Sequence, residues 1–176
     1  MIREHARIVR YKRGEIIVDA RTSEHKSMLI LSGSCIRFII TPNGKERAVA
    51  FHTESFLPMM GSFLVREEHS IINYYIKTNE PTTVMVIDSS ILGAAISRDR
   101  EFVAHSFRRR LAYTSIENQL QNHLMGLDSK SFFHWLMCHY GFLFRRFSSK
   151  DIANFMGISP TWLSLLKRES RTRKTT

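Results

Sequence analysis

The apolar residues of this chain change their spacing at Ser89, and that change limits the possible folds more than any other feature. Before it, short runs rich in Ile, Val, Phe and Tyr alternate with turn residues: Arg7–Tyr11, Glu15–Val18, Met28–Leu31, Cys35–Ile40, Ala48–Phe51, Ile71–Lys77 and Thr83–Ile87. Short strands at this spacing predict a β-sandwich or barrel. Asn43-Gly44 is expected to supply two positive-φ residues for the hairpin between Arg37 and Phe51. After Ser89 the period lengthens to about three and a half. It predicts a short helix over Ser90–Ile96, a long one over Phe102–Leu124 stopped by Gly126, and a third over Ser129–Phe142, apolar on most sides and so assigned to the core. The long helix carries a narrow seam of Val103, Phe107, Leu111, Ile116, Leu120 and Leu124 beside a polar remainder. Such a helix either pairs with a copy of itself or lays its seam on the strands.

The chain has 176 residues, 43% of them hydrophobic and 24% charged, enough to bury a core and too apolar for a disordered or low-complexity tract. Cys35 and Cys138 are too few for a disulfide scaffold or a four-thiolate zinc or iron–sulfur site, which favours a reducing compartment. No apolar run reaches the ~18 residues of a membrane helix, and Met1 leads into no signal region, so a cytoplasmic location is expected. The net charge of +10 favours an anionic partner, nucleic acid or membrane surface. It lies mainly in the second half, where Ser97–Thr176 holds 14 basic against 6 acidic residues.

Within that half, Ser148–Glu169 is the informative stretch. Ser148 with Asp151 resembles a capping box that starts a helix, and Gly157 stops it. Ser159 is the expected N-cap of a second helix, with Pro160 in its first turn. Two helices crossing steeply over so short a turn need a small residue at their contact and apolar residues behind it. Ala153 is the small residue; Ile152, Met156, Ile158, Leu163 and Leu166 are the apolar set, and the whole predicts a helix-turn-helix. Its second helix would turn Pro160, Thr161, Ser164, Leu165 and Arg168 outward, with Trp162 at the side, toward base edges of double-stranded DNA. Ser159 and Thr161 would bind phosphate at the helix N-terminus, and Lys150, Lys167, Arg145, Arg146 and the Arg171–Lys174 tail would add salt-sensitive affinity.

With these motifs assigned, most of the chain resembles a transcription regulator of the Crp/Fnr superfamily, of the short, nearly wingless kind. Leu31–Phe38, Asn43–Arg47, Ala50-Phe51, Ser62-Phe63 and Val84–Asp88 resemble successive family signatures in order, and Ile152–Ser164 resembles the DNA-reading segment. The resemblance implies an α+β chain: a β jelly roll like a cyclic-nucleotide-binding domain over residues 1–101, a dimerisation helix over 102–126, and a helix-turn-helix domain with a basic tail over 127–176. It implies DNA, a second copy of the chain, RNA polymerase and an unidentified small-molecule effector as partners, no membrane, no cofactor and no catalysis. For Arg108, Arg109 and Arg110, DNA, polymerase and solvent all stay open.

Departures from the family pattern narrow this. The Gly-Glu pair that holds a cyclic nucleotide's ribose is Gly61-Ser62 here, and Ile72-Asn73 falls near the Arg-Ser pair that holds its phosphate. A buried phosphate without its arginine loses a charge-assisted partner, so no cyclic-AMP control is expected. Leu165 stands where family members commonly carry a base-reading arginine, which leaves open a second reading, a protein-interaction or dominant-negative dimer with a degenerate reading segment. Elsewhere, His134 and Cys138 have the spacing of a shared metal but too few companions, and the spacing of His52, His69 and His105 singles out no haem ligand. Met59 and Met60 with Phe56 and Phe63 read as packing, and Cys35 as a small core residue beside Arg37. No phosphate-binding glycine loop, zinc-protease histidine pair or serine-hydrolase elbow occurs.

Overall fold

Eight strands account for the alternating half of the chain in the computed structural model, which describes residues 5–20, 26–61, 72–98 and 100–172. They are β1 (Arg7–Tyr11), β2 (Ile16–Asp19), β3 (Lys26–Ser32), β4 (Ser34–Ile40), β5 (Glu46–Thr53), β6 (Met59–Gly61), β7 (Asn73–Thr78) and β8 (Thr82–Asp88). They form two antiparallel sheets, in the orders β1-β8-β3-β6 and β2-β7-β4-β5, the strand order of a jelly roll. Alternation sets the core: Met28 and Ile30, Val84 and Val86, and Met60 from one sheet meet Cys35 and Ile76 from the other, with Val9, Tyr11, Ile17 and Val18 packed alongside. Each large side chain buried this way contributes about 1.5–3 kcal/mol.

Two details differ from the sequence expectation. Strand β6 was missed, because three residues after Pro58 are too few to show alternation. The β4–β5 hairpin does not use a positive-φ pair: only Gly44 is left-handed (φ 76), and Asn43 is not. The Gly44 N–H donates to the Thr41 carbonyl (2.8 Å) and the Thr41 N–H to the Lys45 carbonyl (2.9 Å), a three-residue loop that ends on a left-handed glycine. Strand β7 starts at Asn73, with Ile72 outside it; Ile71 lies outside the described residues.

One buried polar group stands out. His52 is 3% exposed on β5, and its Nδ1 lies 2.8 Å from the Leu57 carbonyl. A carbonyl only accepts, so Nδ1 carries the proton and Nε2 presents a bare lone pair. Nε2 has no hydrogen-bond partner among the described residues. Leu57, held by this bond, has φ 48, a conformation that costs a non-glycine residue of order 1–3 kcal/mol. Burial, reinforced by the nearby charge of Arg37, pushes the imidazole down to about 4.

Helices follow. Asp88 opens α1 (Ser89–Arg98), its carboxylate accepting the Ser90 N–H at 2.8 Å. Then come α2 (Arg100–Gly126), α3 (Ser129–Tyr140), α4 (Leu143–Arg146), α5 (Ser149–Met156) and α6 (Pro160–Thr172). The chain divides within α2 into two compact units, Met1–Tyr113 and Thr114–Thr176. The predicted seam divides with it: Val103, Phe107 and Leu111 are 37%, 61% and 54% exposed, whereas Ile116 and Leu124 are half-buried and Leu120 is buried. The third helix ends at Tyr140, short of Phe142, and shows solvent a face with Cys138 and His139; its buried residues are Phe132, Phe133 and Leu136. Among the described residues no helix is long and apolar enough to cross a membrane.

The buried imidazole makes stability depend on pH. Its folded pKa lies below the ordinary 6.5, so the unfolded chain binds the proton first: full stability holds above pH 6.5 and is lost as pH falls toward 4, by about 3 kcal/mol. Urea denaturation of the first unit at pH 7.5, 5.5 and 4.5 should show this decline, and His52→Asn, whose amide can still donate to Leu57, should flatten it.

Candidate nucleic-acid interface

The second unit is built on capped helix ends. Asp128 accepts the N–H groups of Lys130 (2.9 Å) and Ser131 (3.1 Å) at the start of α3, and the Ser131 hydroxyl and N–H hold its carboxyl below the usual carboxylate range. Ser148 (φ −66, ψ 149) caps α5, accepting the Asp151 N–H at 3.1 Å while its hydroxyl meets the Asp151 carboxylate at 2.5 Å. Gly157 ends α5 in the left-handed conformation (φ 69, ψ 26), and the Ile158 N–H returns to the Ala153 carbonyl at 3.0 Å. Ser159 then caps α6, accepting the Trp162 N–H at 3.1 Å, with Pro160 as its first helical residue. Two residues therefore separate the left-handed stop from a new helix, which fixes how α6 leaves α5.

The predicted inner face holds this corner together. Ile152, Ala153 and Leu163 are fully buried, Leu166 is 1% exposed and Met156 6%. Ile158, expected to plug the turn, is only half-buried. The sequence reading missed the aromatic floor beneath them: Phe155 (1% exposed), whose ring lies 6.2 Å from Phe132, Leu143 and Phe147, both buried, and Phe144 edge-on to Phe133 at 5.4 Å. The run Phe142 to Phe147 carried that signal, but without helical periodicity.

The outward residues of α6 come together. Ser159, Thr161, Trp162, Ser164, Leu165 and Arg168 line one open depression of about 600 Å³; Thr161, Ser164 and Arg168 are exposed and Leu165 half-buried. Pro160 and Lys150 are exposed as well. Three expected DNA contacts have other work. The Trp162 Nε1–H donates to the Ser129 hydroxyl at 3.0 Å, tying α6 to α3. The Ser164 hydroxyl donates to the Pro160 carbonyl at 2.9 Å. Lys167 Nζ donates to the Ser149 hydroxyl at 2.7 Å and lies 5.5 Å from the centre of the Phe144 ring, so it braces α6 on the preceding helices rather than joining the outward group. Lys130 and Glu169, paired at 2.7 Å, add a second tie between α3 and α6. Beyond Thr172 the basic tail lies outside the described residues.

In the first unit, Gly61 ends β6 so close to β3 that a Cβ there would sit 2.1 Å from the Lys26 carbonyl oxygen. Asn73 opens β7 in the other sheet, Ile72 is half-buried, and Ser62 lies outside the described residues.

A jelly roll followed by a long helix and a helix-turn-helix is a specific succession, and solved structures share it. The chain matches FixK2 from Bradyrhizobium japonicum with a TM-score of 0.72 at 14% identity, over 96% of this chain and 86% of that one. A CooA variant from Carboxydothermus hydrogenoformans matches with a TM-score of 0.75 at 15% identity, over 97% and 78%. A protein of Eubacterium rectale described as a transcriptional regulator of the Crp/Fnr family matches at 0.69 and 15%, over 98% and 81%. The fold is that of the Crp/Fnr regulators. No family model and no curated protein sequence matches the chain.

Within this Crp/Fnr fold the inner and outer faces of α6 should respond differently to substitution. Leu166→Asp places an unpaired carboxylate in the corner and should cost the second unit at least about 4 kcal/mol, abolishing its cooperative melting. Arg168→Gln, on the exposed face, should leave the melting temperature unchanged in the same calorimetric scan.

Proposed function

We propose that this chain is a homodimeric DNA-binding transcription regulator with no catalytic activity, reading a short, imperfect palindrome through α6. The observation that carries it is the convergence of Thr161, Ser164, Leu165 and Arg168 on one open face beside the Ser159-capped helix N-terminus. Exposed helix N–H groups and the dipole there favour a phosphate, and side chains in the first turns of the helix reach base edges. In this reading residues 1–101 are the sensor, 102–126 pair two copies, and 127–176 bind DNA. Exposed Val103, Phe107 and Leu111 supply the pairing stripe, which would set the two recognition helices about one duplex turn, ~34 Å, apart. RNA polymerase is a further partner in this reading. Control is independent of cyclic AMP, since Gly61, Ile72 and Asn73 offer no carboxylate for a ribose and no guanidinium for a phosphate.

A second reading keeps the dimer and gives up base recognition. Leu165 favours it, because it offers only apolar contact such as a thymine methyl, and so does Trp162, whose N–H is engaged with Ser129. Selection from random duplexes, followed by binding of the winner and a scrambled control across a salt series, decides. The regulator requires a two-fold motif bound at least roughly a thousandfold more tightly than the control; no motif, with affinity vanishing as salt rises, leaves the interaction module.

Two variants test the roles assigned. Arg168→Gln should weaken binding and lower the slope of log K against log salt by about 1 if the guanidinium meets a phosphate. Phe107→Glu with Leu111→Glu should turn a dimer into a monomer in sedimentation velocity.

A further inference from the structure

The depression on α6 offers fewer hydrogen bonds than its lining suggests. Three of its six residues carry a hydroxyl, one an indole N–H and one a guanidinium, but much of this capacity is engaged. The Ser164 hydroxyl donates its one proton to the Pro160 carbonyl at 2.9 Å, and the Trp162 Nε1–H is bonded to Ser129 at 3.0 Å. Ser159 accepts the Trp162 backbone N–H at 3.1 Å as the cap of the helix. Thr161 and Arg168 stand at the two ends of the face, both exposed, and in the DNA-binding reading both meet phosphate.

Leu165 occupies the middle of this face. It follows Thr161 by four residues and Trp162 by three, and it precedes Arg168 by three, the spacings of neighbours on a helix surface. A helical side chain leans toward the helix N-terminus, so Leu165 lies over the turn that carries Thr161 and Trp162. It is half-buried, and the indole beside it is held in place by Ser129. The centre of the depression is therefore an apolar patch on a firmly packed helix, with no side-chain donor of its own.

A base edge in the major groove presents one kind of apolar group, the C5-methyl of a pyrimidine; the other groups there are donors or acceptors. Against a leucine, a purine N7 or a cytosine amino group would lose its water and gain no partner, whereas a methyl gains by leaving water. We infer that Leu165 is a specificity-determining residue that selects a pyrimidine C5-methyl, that of thymine or of 5-methylcytosine, in each half-site. This role rests on the DNA-binding reading of α6. It makes Leu165 a reader of different chemistry, not the mark of a degenerate segment.

Fluorescence anisotropy of the full chain on the duplex selected from random sequences, at fixed salt, tests it. The selected motif should hold a thymine at matching positions of its two halves. Uracil in its place removes only the methyl, and should weaken binding about fourfold in one half-site and about fifteenfold in both. Cytosine should bind weakly at the same position. Recovery of about fourfold on going from cytosine to 5-methylcytosine would show that either base is accepted, and a thymine-over-uracil preference without that recovery would confine the site to thymine. Leu165→Ala should bind the thymine and uracil duplexes alike, with melting temperature and salt slope unchanged, while Leu165→Met should keep the preference. Arg168→Gln should weaken both duplexes equally. A motif without paired thymines, equal binding of the thymine and uracil duplexes, or a preference that survives Leu165→Ala would overturn the role of Leu165 and leave DNA binding standing. Selection of no motif at all would overturn base reading by α6 and this role with it.

Discussion

The packing of α5 against α6 is the constraint on which the second unit depends. Ala153 has no side chain beyond Cβ, so α6 can approach α5 closely enough to bury Leu163 and Leu166 completely. The direction of that approach is set by four residues, Gly157 to Pro160, in which a left-handed stop is followed at once by a capped start. Neither part is sufficient alone. A close contact without the fixed turn would let α6 swing about Ala153, and the turn without the contact would hold a helix too short to persist in water. Together they present Thr161, Ser164, Leu165 and Arg168 on one rigid element, the condition for reading a surface rather than merely touching it.

Charge in this unit divides between holding the helices and facing outward. Lys167 lies over Phe144 and donates to Ser149, and Lys130 is paired with Glu169. Exposed pairs of this kind contribute only about 0–1 kcal/mol, so their effect is on orientation more than on stability. Both act on α6, one from α5 and one from α3, and the Trp162 N–H adds a third tie through Ser129. Cations counted from the sequence therefore overstate the charge available to an anionic partner, and a long-range field from +10 is compatible with few direct contacts.

What was legible in the sequence is what local rules determine. The cap at Ser148, the stop at Gly157 and the start at Ser159 each depend on neighbours within one or two turns, and the backbone there follows the local reading, whereas Ile158, expected to be buried with the inner face, is only half-buried. The strands were legible where alternation ran for four residues or more, and β6 was lost where it did not. Asn43 misled because Asn-Gly fits both a two-residue loop and a longer one, and loop length is decided by the register of β4 on β5, a pairing the turn itself does not encode. The contacts of Trp162, Lys167 and Phe155 were not legible for a common reason. Their partners, Ser129, Ser149 and Phe132, stand 33, 18 and 23 residues away, on other helices. The tertiary fold, not the helix they belong to, decides what they touch.

The same distinction explains why the inner face of the jelly roll carried no sequence signal. Nothing in the spacing of His52 and Arg37 marks them as a pair; only the register of β4 on β5 makes them neighbours. Once they are neighbours, their cost becomes visible. A buried imidazole whose Nε2 has no hydrogen-bond partner among the described residues and a leucine at φ 48 that holds its other nitrogen are two local penalties in one small region. An apolar side chain at position 52 would remove the first, and would leave Leu57 free to relax.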